Sequence, residues 1–285
     1  MTYDLLISAG QLQELLANKT PVRIFDCTFD LADASAGHTQ FVESHLPGAV
    51  YAHLDSALSD KHGTGVSGGR HPLPARQKFA DWLSSIGLAN DMQAVVYDRN
   101  GANYCGRLWW MLKWVGHANV AVLDGGLQAW QAAGGAVASG TEPANFQSSF
   151  SLAPELSTLI ATKTVANNLG RPVQTLIDAR GAPRFRGEVE PLDPIAGHIP
   201  GALNRPFSQN LGADGNFKPA EQLKAELEAL LAGRDPASVV HHCGSGVSAV
   251  PNILAMQIAG LGMTGLYAGS WSDWCSDASR PMAQG

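Results

Sequence analysis

The chain carries one order of short motifs twice, and this internal repeat limits its possible folds more than any other feature. The matched segments are residues 25–27 with 177–179, 45–50 with 198–203, 95–97 with 239–241, and 125–130 with 269–274. The offset between partners falls from 152 at Asp26 to 144 at Gly125, so the order is kept with one change of length. Ordered self-similarity of this kind predicts two copies of one domain.

Within each half, short apolar runs alternate with segments of helical periodicity. Ser8 and Gln11 are typical of a capping box, and Leu12, Leu15 and Leu16 follow at helical spacing. Strands that alternate with helices of about ten residues predict a parallel sheet with helices on both faces. The expected fold class is therefore α/β, with two tandem domains.

The domain limits follow from a polar stretch between the two copies. Residues 138–151 are polar, contain Gly and Pro, and show no sustained period. We predict a first domain at residues 1–137, a linker at 138–156 and a second domain at 157–285. The first copy also has a glycine-rich insertion near residues 55–71, a surface loop that could reach the other domain.

Composition narrows the class of protein. The 285 residues are 45% hydrophobic and 15% charged, which is typical of a globular chain with a substantial core. A net charge of −6 argues against a general affinity for nucleic acid or an anionic membrane surface. The N-terminal residues lack a signal-peptide pattern and no window has 18 apolar residues, so a cytoplasmic location is expected.

Residues 239–249 form the most informative single stretch. Their sequence, Val-Val-His-His-Cys-Gly-Ser-Gly-Val-Ser-Ala, predicts a strand, a tight loop and then a helix from about Ile253. Gly244 and Gly246 would let backbone N–H groups converge on one point at a helix start, which favours negative charge. A cysteine there is favoured as the thiolate, and strand ends are where such sheets bind ligands. Cys243 is therefore the candidate nucleophile.

Other roles for Cys243 compete with this one. An isolated cysteine is most often a packing residue, as we expect for Cys105 within the helix of the first copy. A cysteine phosphatase needs an arginine six residues after the cysteine to bind phosphate, and this chain has Ala249 there. A non-catalytic sulfur carrier or redox sensor would suit the same loop. No metal site is expected, because His241, His242 and Cys243 are consecutive and alternate across a strand.

A family resemblance rests on these motifs. The twin α/β repeats, His198-Ile-Pro-Gly-Ala202, and Cys243-Gly-Ser-Gly-Val-Ser248 after a strand together resemble the tandem-domain rhodanese family over nearly the whole chain. Within that family the loop is similar to that of 3-mercaptopyruvate sulfurtransferases, whereas thiosulfate-specific rhodaneses usually carry basic residues just after the cysteine. The resemblance implies a cofactor-independent enzyme that moves sulfur from 3-mercaptopyruvate, or alternatively thiosulfate, onto Cys243 as a persulfide. The sulfur would then pass to cyanide or to a thiol such as thioredoxin or a small thiol.

The resemblance also implies roles for individual side chains. Asp55 would orient His71, which would exchange a proton with Ser245; Arg184 would bind the anionic group of the donor. The loop residues Gly244, Gly246, Val247 and Ser248 would contact the bound donor sulfur. Without the resemblance, Asp55 and His71 would be solvated loop residues, Ser245 a small loop residue, and Arg184 and Arg186 partners of surface acids such as Glu188.

Two positions depart from the family pattern. Relatives with 3-mercaptopyruvate activity carry a second arginine nine residues after the first, and this chain has Asp193 there. That change removes a positive charge from the expected donor site. Pro251 falls about one turn into the helix after the loop, where a kink is expected.

Overall fold

The computed structural model describes residues 2–63, 65–143 and 148–285. These divide into two compact units. The first comprises Met1–Asp60, Pro74–Leu156 and Ala213–Asn216, and the second comprises Lys61–Leu73, Ser157–Gly212 and Phe217–Gly285. The segment Lys61–Leu73, which contains His71, thus belongs to the second unit, whereas Asp55 belongs to the first. Residues 144–147 of the predicted linker and Thr64 of the predicted insertion lie outside the described residues.

The first unit contains five strands and five helices among its described residues. They are β1 Leu6–Ile7, α1 Ala9–Ala17, β2 Val22–Asp26, α2 Ala36–Glu43, β3 Val50–Tyr51, α3 Arg76–Ser85, β4 Gln93–Tyr97, α4 Cys105–Trp114, β5 Val120–Leu123 and α5 Gly126–Ala132. The strands are parallel and lie in the order β1-β5-β4-β2-β3.

The second unit repeats this plan in the part of the chain that the structure describes. Its elements are β6 Thr158–Leu159, α6 Thr162–Asn167, β7 Thr175–Asp178, α7 Ala182–Phe185, β8 Leu203–Asn204, α8 Ala220–Leu231, β9 Val239–His242, α9 Val250–Ile258, β10 Gly265–Leu266 and α10 Ser270–Trp274, with 3₁₀ turns at Phe207–Asn210 and Pro236–Ser238. The strand order, β6-β10-β9-β7-β8, is that of the first unit. The predicted fold class, two tandem α/β units with flanking helices, is confirmed.

The central strands of each sheet are buried because helices cover them. Ile24, Val95 and Ala121 pack in the first core with Leu12 of α1 and Phe41 of α2. In the second unit, the strands β7 and β9 pack against α8 and α9. Burial of this apolar surface, at roughly 25 cal/mol per Å², is what stabilises each layer.

Several local predictions are confirmed at the level of single contacts. Ser8 is the N-cap of α1, with its Oγ accepting from the Gln11 N–H and the Gln11 Oε1 accepting from the Ser8 N–H. The two His-x-Pro-Gly motifs are also built alike. His45 stacks on Phe41 at 4.0 Å between ring centroids, and His198 stacks on Phe185 at 3.9 Å.

Two predictions about the second half are wrong in detail. Helix α9 begins at Val250 rather than near Ile253, so Pro251 lies in its first turn and no kink is needed there. The predicted match of 95–97 with 239–241 is shifted by one residue. Asp26 pairs with Tyr97 and the equivalent Asp178 pairs with His242, so Tyr97 corresponds to His242.

No helix in the described ranges is both long and apolar enough to cross a membrane.

Candidate active site

Cys243 lies one residue beyond the carboxyl end of β9, at the start of the loop that leads into α9. Its backbone is fixed on both sides by the first turn of α10. The Cys243 N–H donates to Ser270 Oγ at 3.0 Å, and the Trp271 N–H donates to the Cys243 carbonyl at 2.9 Å. The Ser272 N–H donates to the Gly244 carbonyl at 2.9 Å. The position of the thiol is therefore set by the sheet and by α10 together.

The loop needs a glycine at residue 246. Gly246 has φ of +74°, and a Cβ placed on it would lie 2.3 Å from the Ala268 carbonyl oxygen. Left-handed backbone conformation and a close approach to the Ala268 backbone thus both exclude a side chain. Val247 is buried beside it and Ser248 is half-buried, so the loop turns tightly over the strand end.

Ser270 is held in a conformation that serine rarely adopts. Its φ is +57°, it is buried, and its Oγ both accepts from the Cys243 N–H and donates to the Tyr267 carbonyl at 3.0 Å. The equivalent residue of the first unit is Gly126, with φ of +59°. A non-glycine residue there costs about 1 kcal/mol or more. The hydrogen bond to the backbone of Cys243 offsets that cost.

Substitution at Ser270 should therefore reverse the usual order of alanine and glycine. Ser270→Gly loses the hydrogen bond but relieves the backbone strain, whereas Ser270→Ala loses the bond and keeps the strain. We expect Ser270→Ala to be less stable than Ser270→Gly by about 1 kcal/mol, although alanine is normally favoured over glycine. Urea denaturation of the two variants measures this difference. An alanine variant as stable as the glycine variant would contradict the strain argument.

His71 and Ser245 lie together in the second unit. The distance between His71 Nδ1 and Ser245 Oγ is 2.8 Å, and both side chains are buried. Either atom can donate, depending on the imidazole tautomer. The hydroxyl lies two residues after Cys243, so a proton could pass between this pair and a group bound at the thiol. Asp55 belongs to the first unit, where its N–H donates to His53 Nδ1 at 3.1 Å, and its role stays a prediction.

Arg184 lies against the loop and is paired with buried acids. Its Nη1 and Nη2 would lie 3.5 and 3.6 Å from a Cβ on Gly244. It donates to Glu190 through Nη2 at 2.5 Å and Nε at 3.2 Å, and to Asp193 Oδ2 at 3.3 Å. The alternative pairing with Glu188 belongs to Arg186 instead, on the exposed surface. Arg184 thus keeps a positive guanidinium beside the loop.

Arg180 also lies near Cys243, and the sequence analysis did not predict it as part of the site. Arg180 is buried, donates to both oxygens of Asp178, and stacks its guanidinium over Trp271 at 4.9 Å. Burial lowers its pKa, but the carboxylates of Asp178 and Glu190 outweigh this and hold the pKa of Arg180 above its usual value. It adds a fixed positive charge close to Cys243. The signal in the sequence is its place two residues after Asp178, the last residue of β7.

The other cysteines and the neighbouring histidines are not suited to charge. Burial raises the pKa of the Cys27, Cys105 and Cys275 thiols. Burial also lowers the pKa of His241 to about 3 and lowers that of His242, so both are neutral near pH 7. Within residues 2–63, 65–143 and 148–285, no group of three or more His, Cys, Asp or Glu side chains could hold a metal ion.

The first unit carries the same loop with a carboxylate in place of the thiol. Asp98 corresponds to Cys243, and in both units six residues separate this position from the first residue of the following helix. Gly101 has φ of +68°, as Gly246 has +74°. The register shift of one residue thus places Asp98 at the position that Cys243 takes in the second unit.

The Asp98 carboxylate is surrounded by backbone donors. Its Oδ1 accepts from the N–H groups of Asn100 at 2.8 Å and Ala102 at 3.1 Å. Its Oδ2 accepts from Tyr104 at 2.8 Å and Cys105 at 2.9 Å. Four amides that converge on one buried carboxyl group form the cradle that the sequence predicts for this kind of loop. The first unit fills that cradle with its own side chain.

The fold and this site define a protein of two tandem α/β units, one with a cysteine at the start of this loop and one with a carboxylate at the same position. Comparison with known families also finds two copies of one domain. The model of the Rhodanese-like domain matches residues 8–133 and again residues 161–277. This chain belongs to the rhodanese family, as two tandem rhodanese-like domains.

Relatives and solved structures carry sulfurtransferase names. The chain is 46% identical over 284 residues to a probable 3-mercaptopyruvate sulfurtransferase of Pseudomonas aeruginosa, covering 98% of each chain. It is 39% identical over 285 residues to a putative thiosulfate sulfurtransferase of Mycobacterium tuberculosis, covering 99% of this chain and 98% of the relative. The crystal structure of SseA from Escherichia coli, presented as a 3-mercaptopyruvate sulfotransferase, matches with a TM-score of 0.78 and 28% identity. That match covers 95% of this chain and 100% of the SseA chain.

Proposed function

We propose that this protein is a sulfurtransferase that takes sulfur from 3-mercaptopyruvate onto Cys243 as a persulfide. The observation that carries the proposal is the loop itself, with Cys243 at a strand end and a His71–Ser245 pair at 2.8 Å two residues further on. The names of the relatives support the class of reaction. Arg184 supplies a guanidinium for the donor carboxylate.

The reaction balances without a cofactor. The Cys243 thiolate attacks the donor sulfur, an S–S bond forms, the C–S bond breaks, and its electron pair leaves on the enolate of pyruvate. The proton of the donor thiol ends on the methylene carbon of that enolate. The products are the Cys243 persulfide anion and pyruvate, with the same total charge as the reactants. The proton transfer is the step that Ser245 and His71 would assist.

The persulfide needs donors for its negative outer sulfur. In the first unit, backbone amides converge on the Asp98 carboxylate at the equivalent position. We expect the loop after Cys243, with its matching length and positive-φ glycine, to offer amides to the outer sulfur in the same way. Transfer to the acceptor then returns the thiolate. The identity of the acceptor, thioredoxin, a small thiol or cyanide, and a cytoplasmic location stay predictions.

Thiosulfate is the second candidate donor, because one close relative is named a putative thiosulfate sulfurtransferase. Its outer sulfur passes to the thiolate with sulfite as leaving group and without proton transfer. The two donors therefore place different demands on the site. Only 3-mercaptopyruvate needs a proton delivered to the leaving carbon.

Intact mass spectrometry tests the proposal. After incubation with 3-mercaptopyruvate, the wild type should gain the mass of one sulfur atom, and Cys243→Ser should gain none. With cyanide and excess donor the wild type should turn over many times, which a single-use redox sensor would not do. We expect kcat/KM for 3-mercaptopyruvate to exceed that for thiosulfate by about tenfold or more. An unchanged wild-type mass with a donor shown to be intact would refute the proposal.

A further inference from the structure

A second arginine faces the nucleophile loop beside Arg184. Arg70 Nη2 would lie 3.0 Å from a Cβ on Gly244, the residue directly after Cys243, closer than either terminal nitrogen of Arg184. Arg70 and Gly244 both belong to the second unit. The side chains of Arg70 and Arg184 are 27% and 21% exposed, so neither is fully enclosed by the protein.

The backbone around Arg70 is fixed tightly enough to aim its side chain. The Arg70 N–H donates to Ser272 Oγ at 3.1 Å. Gly69, with φ of +86°, would place a Cβ 2.5 Å from the Gly269 carbonyl oxygen, and Gly68 would place one 2.3 Å from Asp273 Oδ1. Two glycines thus let this segment pass directly against the start of α10, which also holds the backbone of Cys243.

Asp193 links the two arginines. Its Oδ1 pairs with Arg70 Nη1 and its Oδ2 accepts from Arg184 Nη2 at 3.3 Å. The Asp193 side chain is 2% exposed, and that of Glu190, which accepts from Arg184, is 3% exposed. The acids therefore lie on the protein side of the guanidinium groups. A carboxylate in this place sets the spacing of two cations while leaving their outer edges to a ligand.

We infer that Arg70 binds the anionic group of the sulfur donor together with Arg184, and that Asp193 is the positioning residue for both. The ligand class is a small planar carboxylate, which two guanidinium groups can bind through parallel N–H bonds. The identity of that carboxylate as 3-mercaptopyruvate rests on the proposed function. Asp193 would then favour binding of an anion by positioning Arg70 and Arg184, although its own charge is negative.

Replacing Arg70 with methionine tests the inference, because methionine keeps an apolar stem of similar length and removes the charge. We expect KM for 3-mercaptopyruvate to rise about 10- to 100-fold with kcat within about twofold of wild type, as for loss of a charge-assisted bond made equally in substrate and transition state. Arg186→Met is the matched control, since Arg186 pairs with Glu188 on the exposed surface. A purely structural ion pair at Arg70 would instead lower kcat or stability and leave KM unchanged. That result, or an equal rise of KM in Arg186→Met, overturns the inference.

A binding measurement separates this inference from the proposed function. If the wild type takes up no sulfur, calorimetric titration of Cys243→Ser with 3-mercaptopyruvate still reports donor binding. Binding that Arg70→Met weakens about tenfold or more, and that Arg186→Met leaves unchanged, would retain the role of Arg70 while the reaction fails. Binding that is absent, or independent of Arg70, would overturn it. If the wild type transfers sulfur but KM does not depend on Arg70, the inference alone fails.

Discussion

Ser245→Ala should lower kcat/KM for 3-mercaptopyruvate by about 10²- to 10⁴-fold and change kcat/KM for thiosulfate by less than about threefold. The difference between donors follows from the chemistry of the leaving groups. Pyruvate leaves as an enolate that must receive a proton, whereas sulfite leaves as a stable anion. Removal of the hydroxyl that lies 2.8 Å from His71 Nδ1 interrupts proton delivery only for the first donor.

The histidine gives an independent check of the same relay. His71→Asn should reproduce the donor-selective loss, and the double variant should lose little more than either single variant, because the two side chains act as one unit. Ser276→Ala, an exposed serine whose hydroxyl donates to the Asp273 carbonyl, is the matched control. Equal losses of kcat/KM for both donors would indicate that Ser245 stabilises the loop structure and does not take part in proton transfer. Steady-state kinetics with both donors measures these ratios.

Much of the fold could be predicted because both halves of the sequence carry the same pattern of strands and helices. A parallel sheet with helices follows from one half alone, and agreement between the halves makes the assignment strong. Capping at Ser8 is local and depends on residues three apart, so it could be read directly. The place of Cys243 directly after a central strand could also be predicted, since strand, cysteine and glycine-rich loop are consecutive in the sequence.

The strand register could not be fixed in this way. Both halves contain a Val-Val pair in the central strand, and buried strands carry continuous apolar residues rather than an alternating pattern. An alignment on Val-Val is therefore off by one, and only the pairing of Asp26 with Tyr97 and Asp178 with His242 shows it. One residue matters here, because it decides which side chain takes the place of Cys243.

The ion pairs around the proposed donor site also could not be predicted from the sequence. Asp193 taken alone predicts a weaker anion site, since it stands where a cation was expected. Its side chain instead contacts Arg70, which lies 123 residues earlier in the chain. An ion pair between such distant segments depends on tertiary packing, and no periodicity or local motif reports it.

Asp98→Ala should be the most destabilising single substitution in the first unit's loop, with a loss of about 3 kcal/mol or more in the free energy of unfolding. The carboxylate accepts from four backbone N–H groups, and its removal leaves several of these donors buried without an acceptor. Each unsatisfied buried group costs about 1 to 3 kcal/mol, and water reaching the loop offsets part of the sum. The stability of Asp98→Asn should lie between that of the wild type and that of Asp98→Ala. The asparagine oxygen can still accept, but its NH₂ group would face backbone N–H groups that are themselves donors.

Urea denaturation followed by tryptophan fluorescence measures this loss, since Trp82, Trp109, Trp110, Trp114 and Trp130 all lie in the first unit. Asp33→Ala is the matched control. Asp33 is exposed and accepts from the N–H and hydroxyl of Ser35, and its replacement should cost less than about 1 kcal/mol. If Asp98→Ala proves no worse than Asp33→Ala, the four amides do not form a cradle that requires an acceptor. That result would also contradict the proposal that the equivalent loop of the second unit stabilises the Cys243 persulfide. The stability of the first unit therefore tests a step of the reaction proposed for the second.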